Sequence, residues 1–191
     1  MKEYLLENFI FDYQIKSNLI LDGLIDLYER SPKKAGVTVN DLGISSVDKG
    51  VKDSTNVDIL VPTIIPEAIA YLNELKVAAD LYNKLYTYSN IKWGLCEAFT
   101  IQKYQPGGAY FDWHFERVGP KFPNVNRYLV FMTYLNDVAD EGYTEFFYQK
   151  LKVVPKKGLT LIWPAEWTHT HRGVPSQTQE KIIISGWLNL I

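Results

Sequence analysis

The sequence predicts an α+β fold: a double-stranded β-helix (jelly roll) core with N-terminal helices packed on one of its sheets. Three observations lead there. Two stretches before residue 90 carry apolar residues at helical spacing. From Trp93 onward the chain breaks into short β-prone runs separated by turn signals. Thirteen Tyr, nine Phe and five Trp suit a β-rich core and an aromatic-lined cleft.

The first helix is predicted from Ile15, Leu19, Leu24, Ile25 and Leu27, with Asp12 or Ser17 as its cap. Residues 31–61 follow, rich in Gly, Ser, Asp and Lys, with β-prone pieces at Val37–Val39 and Val57–Val61. They read as an irregular connector with an edge strand, either a lid over a cleft or an ordinary surface loop. Pro66 opens the second helix, at a position where its missing N–H costs nothing. Ile69, Leu72, Leu75, Ala79, Leu81, Tyr82 and Leu85 supply its apolar stripe.

Strands are predicted at 94–104, 110–116, 127–135, 144–148, 159–163 and 181–190, punctuated by Gly107-Gly108, Gly119-Pro120, Asp140–Gly142, Pro155–Gly158 and Arg172–Pro175. Helices first and strands after give the α+β arrangement, and a jelly roll closes this many short antiparallel strands. At 191 residues the chain is read as one domain, with a helical support region over 1–92 and the jelly-roll core over 93–191.

Composition excludes several classes. A formal charge of −2 gives no push toward nucleic acid or anionic membranes. One cysteine, Cys96, forbids an intramolecular disulfide and fits a reducing compartment. Glu3 and Glu7 interrupt the apolar run a signal peptide needs, and no stretch is apolar enough to span a bilayer. A cytoplasmic protein without membrane or nucleic-acid partners is the expectation.

The chemistry concentrates in the C-terminal half. His114-Phe115-Glu116 on a strand would aim an imidazole and a carboxylate the same way. A third ligand must come from afar, from His169 or His171. Two imidazoles and a carboxylate on one face of Fe(II) leave open positions for co-substrate and oxygen. The bland alternative is a hydrogen-bonded His114 with no metal. Lys181 opens the apolar run Ile182–Ile184, where an unpaired ammonium is costly. It either snorkels to water or holds an acidic ligand. Arg127 and Tyr134 sit on a neighbouring candidate strand, as an exposed strand start and a core tyrosine or as donors to such a ligand. Trp113, Tyr110, Arg127 and Trp187 either form an aromatic-and-basic cleft for an extended chain or belong to the core.

The ordered motifs add a resemblance. Tyr104-Gln-Pro-Gly-Gly-Ala-Tyr110 leads into His114-Phe-Glu116, and Arg127 begins the strand that ends Tyr134-Leu-Asn136. Gly142-Tyr-Thr144-Glu-Phe146, Pro155-Lys-Lys-Gly158, His171-Arg-Gly-Val-Pro175, Lys181 and Trp187 follow in order. Over roughly its last ninety residues the chain resembles the 2-oxoglutarate/Fe(II) dioxygenases of the prolyl 4-hydroxylase type. The resemblance implies Fe(II) held by His114, Glu116 and His171, and it selects His171 over His169, which becomes a supporting or cleft-lining residue. It implies 2-oxoglutarate held by Lys181 and Tyr134, with Tyr104 and Thr144 beside it, O2 as the second co-substrate and ascorbate as reductant. Glu116 stands where the family motif carries Asp, one methylene farther out.

The reaction so implied is hydroxylation of a prolyl residue in a peptide or protein, with release of succinate and CO2. Stand-alone domains of this kind resemble bacterial and viral members. Two other readings remain open at this point: the same core acting on a free amino acid or other small molecule, and a non-catalytic jelly-roll binding domain.

Overall fold

The computed structural model describes residues 8–39 and 44–191; Glu3, Glu7 and connector residues 40–43 lie outside it. Strand β1 (Phe11–Gln14) precedes helix α1 (Asn18–Arg30), so Asp12 is a strand residue and Ser17 is the cap, accepting from the Ile20 N–H through its hydroxyl. The connector supplies β2 (Lys34–Ala35), β3 (Thr38–Val39), β4 (Ser45–Ser46) and β5 (Thr55–Ile59). Helix α2 spans Pro66–Leu85, with Pro66 in its first turn.

The β half comprises β6 (Trp93–Gly94), β7 (Phe99–Tyr104), β8 (Arg127–Tyr134), β9 (Thr144–Phe146), β10 (Leu151–Val153), β11 (Leu159–Pro164), β12 (His171–Gly173) and β13 (Lys181–Leu190). An antiparallel major sheet runs β1-β11-β8-β13-β7-β5-β2, with β6 paired to the end of β13. A smaller sheet, β10-β9-β12, is also antiparallel. The α+β jelly-roll expectation holds. No helix among the described residues is long and apolar enough to cross a membrane.

Strand alternation divides the major sheet into two faces. Phe99, Ile101, Leu129, Phe131, Ile182, Ile184 and Leu188 meet the helices in one core cluster. Val130, Met132, Tyr134, Leu161, Trp163 and Ile183 form a second cluster with Phe146 of the smaller sheet. Each large side chain buried this way contributes about 1.5–3 kcal/mol. Gly186 lies on the helix-facing side, where an added Cβ would stand 2.4 Å from Phe131 Cζ and 2.8 Å from Phe99 Cβ. Only a glycine lets those two rings close over the strand.

Several expectations change. The α1 stripe is Leu21, Leu24, Leu27 and Tyr28, while Leu19 is exposed and Ile15 is buried ahead of the helix. In α2 the buried face is Ala68, Tyr71, Leu75, Ala78, Ala79 and Tyr82, leaving Ile69, Leu81 and Leu85 at the surface. Small alanines let this helix lie close to the sheet, and Tyr71 can be buried because its hydroxyl bonds Thr133 Oγ1 at 3.0 Å. The predicted strand 94–104 is interrupted between β6 and β7, and 144–148 stops at Phe146, leaving Phe147 and Tyr148 exposed. The predicted strand 110–116 is irregular chain, with isolated bridges at Tyr110 and His114 in place of a ladder. Strands β1, β2, β4, β10 and β12 fall outside the expected runs.

Candidate active site

A cavity of about 350 Å³ opens between the two sheets. His114, Glu116, His171, Arg127, Trp187, Tyr104, Tyr110, Thr144 and Lys181 line it, together with connector residues that include Lys52, Asn56 and Asp58. The connector thus forms part of the cavity wall.

Backbone pairing brings the two histidines together without a regular strand. The His114 N–H donates to His171 O and the His171 N–H donates to His114 O, both at 2.9 Å. Residues paired this way put their side chains on the same side, and the two rings stand 4.4 Å apart, centre to centre. Glu116 is placed independently: its N–H and that of Arg117 both donate to Ala165 O, at 3.2 and 2.9 Å. His114 Nε2 and His171 Nε2 then lie 3.6 and 3.5 Å from the same carboxylate oxygen, Glu116 Oε1.

The tautomers follow from the partners. His114 Nδ1 is 2.9 Å from Asp112 O, and His171 Nδ1 is 2.9 Å from His169 O. A carbonyl only accepts, so each Nδ1 carries the hydrogen, and in its neutral form each ring turns an Nε2 lone pair toward Glu116. In that form two lone pairs and a carboxylate oxygen converge and repel, and a bound cation relieves that repulsion. The residues therefore fit Fe(II), and their ligand atoms all lie within 4.8 Å of one another.

Burial alone would raise the Glu116 carboxyl; imidazoles protonated at Nε2 hold it well below the usual carboxylate range, and a bound cation takes over that part when both Nε2 atoms are bare. Burial and the neighbouring His171 lower the pKa of His114, against the pull of Glu116. The other Glu116 oxygen, Oε2, accepts from Trp187 Nε1 at 3.0 Å.

Arg127 and Trp187, read from sequence as a substrate cleft, are drawn into holding Glu116. The Arg127 guanidinium lies 3.5 Å over the Trp187 ring and donates to the Glu116 carbonyl at 3.1 Å. Glu97 clamps it through two bonds, of 3.1 and 2.7 Å, and takes a further bond from Asn189 Nδ2 at 2.8 Å. Glu97 had no local signal, since its role exists only through this contact. Tyr110 stacks on the His114 ring at 3.6 Å, while Trp113 lies at the surface.

Lys181 is buried, and burial lowers its pKa to about 8. Its ammonium donates to Gly142 O at 2.8 Å and Val174 O at 3.2 Å, with no carboxylate partner among the described residues. A buried ammonium bonded only to neutral oxygens is what an anionic ligand would satisfy. The buried indole N–H of Trp163, another cavity-lining residue, has no acceptor among the described residues. Lys181 and the cavity-lining Thr144 hydroxyl suit the far carboxylate of 2-oxoglutarate. Tyr134 does not line the cavity; its hydroxyl, raised in pKa by burial, donates to Thr144 Oγ1 at 2.6 Å and so fixes that residue. The Tyr104 hydroxyl donates to Gln102 Oε1 at 2.7 Å.

His169 stands apart from the cavity. It ends a turn before β12 and shares no strand face with His171. Nε2 donates to Asn8 O at 2.9 Å and Nδ1 lies 3.0 Å from Thr168 Oγ1, so both ring nitrogens are engaged. Its contribution to the site is its main-chain carbonyl.

Comparison with known proteins matches residues 99–189 to the 2OG-Fe(II) oxygenase superfamily model. A search of curated protein sequences finds no match. Among solved structures, a viral collagen prolyl hydroxylase from Paramecium bursaria Chlorella virus-1, in complex with 2-oxoglutarate, superposes with a TM-score of 0.69 at 19% identity, covering 96% of this chain and 97% of that one. A Pseudomonas putida prolyl-4-hydroxylase gives 0.66 at 14% identity, over 95% and 92% of the two chains. A Trichoplax adhaerens prolyl hydroxylase in complex with a hypoxia-inducible-factor peptide gives 0.72 at 16% identity, over 95% and 84%. At these identities the likeness is one of fold.

Proposed function

We propose, for a chain whose residues 99–189 belong to the 2OG-Fe(II) oxygenase superfamily, that this dioxygenase hydroxylates a prolyl residue within a peptide or protein. The observation that carries the peptide reading is a ladder of surface aromatics beside the site. Trp113, Phe147, Tyr148 and Trp167 are each 39–57% exposed. They touch in sequence through edge-on contacts at 5.1, 5.2 and 5.7 Å. Trp113 directly precedes His114, and the Phe147 N–H donates to Thr170 O at 2.8 Å, next to His171. A row of exposed rings on the outer surface of the segments that carry His114 and His171 suits an extended, proline-containing chain, which docks on aromatic surfaces with little entropy to lose. A small-molecule site has no need of it. Solved relatives of the same fold that are prolyl hydroxylases, one with a peptide bound, support the same reading.

Within this reading His114, Glu116 and His171 hold the iron, and Lys181 with Thr144 holds the far carboxylate of 2-oxoglutarate. When bound, iron and 2-oxoglutarate supply the oxidising power that adds one oxygen atom of O2 to the substrate, releasing succinate and CO2. The chain supplies the positioning. Asp112 O and His169 O keep both imidazoles in the metal-ready tautomer, Trp187 fixes which Glu116 oxygen faces them, and Tyr134 aims Thr144.

The test is incubation of the protein with Fe(II), 2-oxoglutarate, O2 and proline-containing peptides, with ascorbate as reductant. The expected result is a gain of one oxygen atom on proline, matched mole for mole by succinate. Oxygen transfer to a free amino acid but to no peptide would overturn the peptide reading.

A further inference from the structure

The cavity holds a second buried lysine that neither the metal nor the co-substrate employs. Lys52 ends a turn, its N–H donating to Asp48 O at 2.8 Å, and bridges to Tyr110. Its side chain lines the cavity and is 7% exposed. No hydrogen bond or ion pair reaches its ammonium among the described residues; it stands 5.3 Å from the centre of the Tyr110 ring, which in turn stacks on His114. Burial lowers its pKa to about 8, opposed by Glu116 and Asp58 and reinforced by Lys34.

The surroundings are shaped for this side chain. At Gly36, beside the edge strand, a Cβ would come 2.2 Å from Ser54 Oγ and 3.3 Å from Lys52 Cε. The missing side chain lets the connector close over the lysine stem, held by the Gly36 N–H to Ser54 O bond at 2.8 Å. Ser54 Oγ donates to Asn56 Oδ1 at 2.9 Å and makes no bond to the ammonium. Lys181 has two carbonyls in hydrogen-bond range and Lys52 has none among the described residues, only the face of the Tyr110 ring. A buried cation with no hydrogen-bonded partner is destabilising until an anion arrives.

We propose that Lys52 recognises a carboxylate carried by the substrate, so that the enzyme prefers a target with an acidic group close to the position it oxidises. This rests on the oxygenase reading of the His114–Glu116–His171 site and on Lys181 serving the co-substrate. The carboxylate has two chemical sources: an Asp or Glu side chain next to the target residue, or the main-chain carboxylate of a C-terminal or free amino acid.

Calorimetric titration of the full chain with matched pairs tests it: peptides with Asp or Asn beside proline, peptides ending in proline acid or proline amide, and free proline or prolinamide. Wild type should bind the acid of at least one pair about tenfold or more tightly than its neutral partner, as a charge-assisted bond implies. Lys52→Met should erase that difference while leaving the neutral partner's affinity unchanged, and Lys52→Arg should keep part of it. The responding pair identifies the source. Equal affinities within every wild-type pair, equal weakening of acid and neutral partners by Lys52→Met, or an effect confined to 2-oxoglutarate would overturn the proposal. Oxygen addition is followed in parallel. Neutral peptides hydroxylated without acid preference sink the Lys52 assignment alone. Acid preference on the free amino acid with no peptide hydroxylated supports Lys52 and sinks the peptide reading alone.

Discussion

Trp187 donates its indole N–H to Glu116 Oε2 at 3.0 Å, which leaves Oε1 to face both imidazoles. The carboxylate is thereby assigned one oxygen for the protein and one for the metal. Trp187→Phe keeps the ring beneath Arg127 and removes only the donor. Metal affinity should fall about 10- to 100-fold, the usual cost of losing a group that orients a ligand. Titration with Co(II), read by absorbance, checks this; unchanged affinity would refute the positioning role.

Glu116→Asp should weaken the metal site although Asp is the residue the family motif carries. The backbone here is anchored through Ala165 O, and the reach of a glutamate is what brings one oxygen to the histidines and the other to Trp187. The shorter side chain cannot do both. A loss of about tenfold or more in metal affinity is expected; a tighter site in the aspartate variant would contradict the geometry.

Lys181→Met should raise the 2-oxoglutarate dissociation constant by about tenfold or more, consistent with loss of a charge-assisted bond, and leave metal affinity intact. Removing a buried ammonium bonded only to carbonyls should not lower the melting temperature of the ligand-free protein. Equal 2-oxoglutarate affinity in both proteins would remove Lys181 from the co-substrate site.

The same lysine predicts a pH dependence. Its folded pKa of about 8 lies below the ordinary lysine value of 10.5. Below about pH 8 it is charged in both folded and unfolded chains, and its burial cost is fully present. Between there and 10.5 the folded chain sheds the proton first, so the Lys181 contribution makes the ligand-free protein more stable as pH rises. Affinity for 2-oxoglutarate should run the other way, flat below about pH 8 and falling up to about tenfold per unit above it. Lys181→Met should flatten that fall. A wild-type affinity independent of pH across this window would show that the charge is not used.

Gly186→Ala should destabilise the fold by about 1–3 kcal/mol, because the new methyl meets Phe131 and Phe99 inside ordinary contact distance. Urea denaturation measures it. A shift under about 0.5 kcal/mol, typical of an unconstrained surface site, would mean the rings move aside freely.

Much of this was legible before the structure, and the exceptions have physical causes. His114, Glu116 and His171 announce themselves by residue type and spacing, and the order Thr144, His171, Pro175, Lys181 gives them a context. The segment carrying His114 reads as a strand because alternation looks the same whether or not a partner strand exists; here isolated bridges at Tyr110 and His114 stand in place of a ladder. The helix faces differ in part because hydrophobicity favours Ile69 and Leu81, while close approach to the sheet selects Ala68 and Ala78 beside the expected Leu75, Ala79 and Tyr82. Glu97 and Lys52 carried no local mark at all. A glutamate before a strand and a lysine in a polar connector read as solvated, and only the folded chain brings one to Arg127 and buries the other beside Tyr110.

The two carbonyls that set the histidine tautomers have one more implication. Asp112 O and His169 O belong to the main chain, which every residue type possesses. The proton pattern of the site is therefore specified by the path of the chain and not by the identities at 112 and 169. Drift at those positions that preserves the path leaves both imidazoles ready for metal, whereas a change at Trp187 or Glu97 disturbs how Glu116 and Arg127 are held. Two of the site's supports are heritable as shape, the others as side chains.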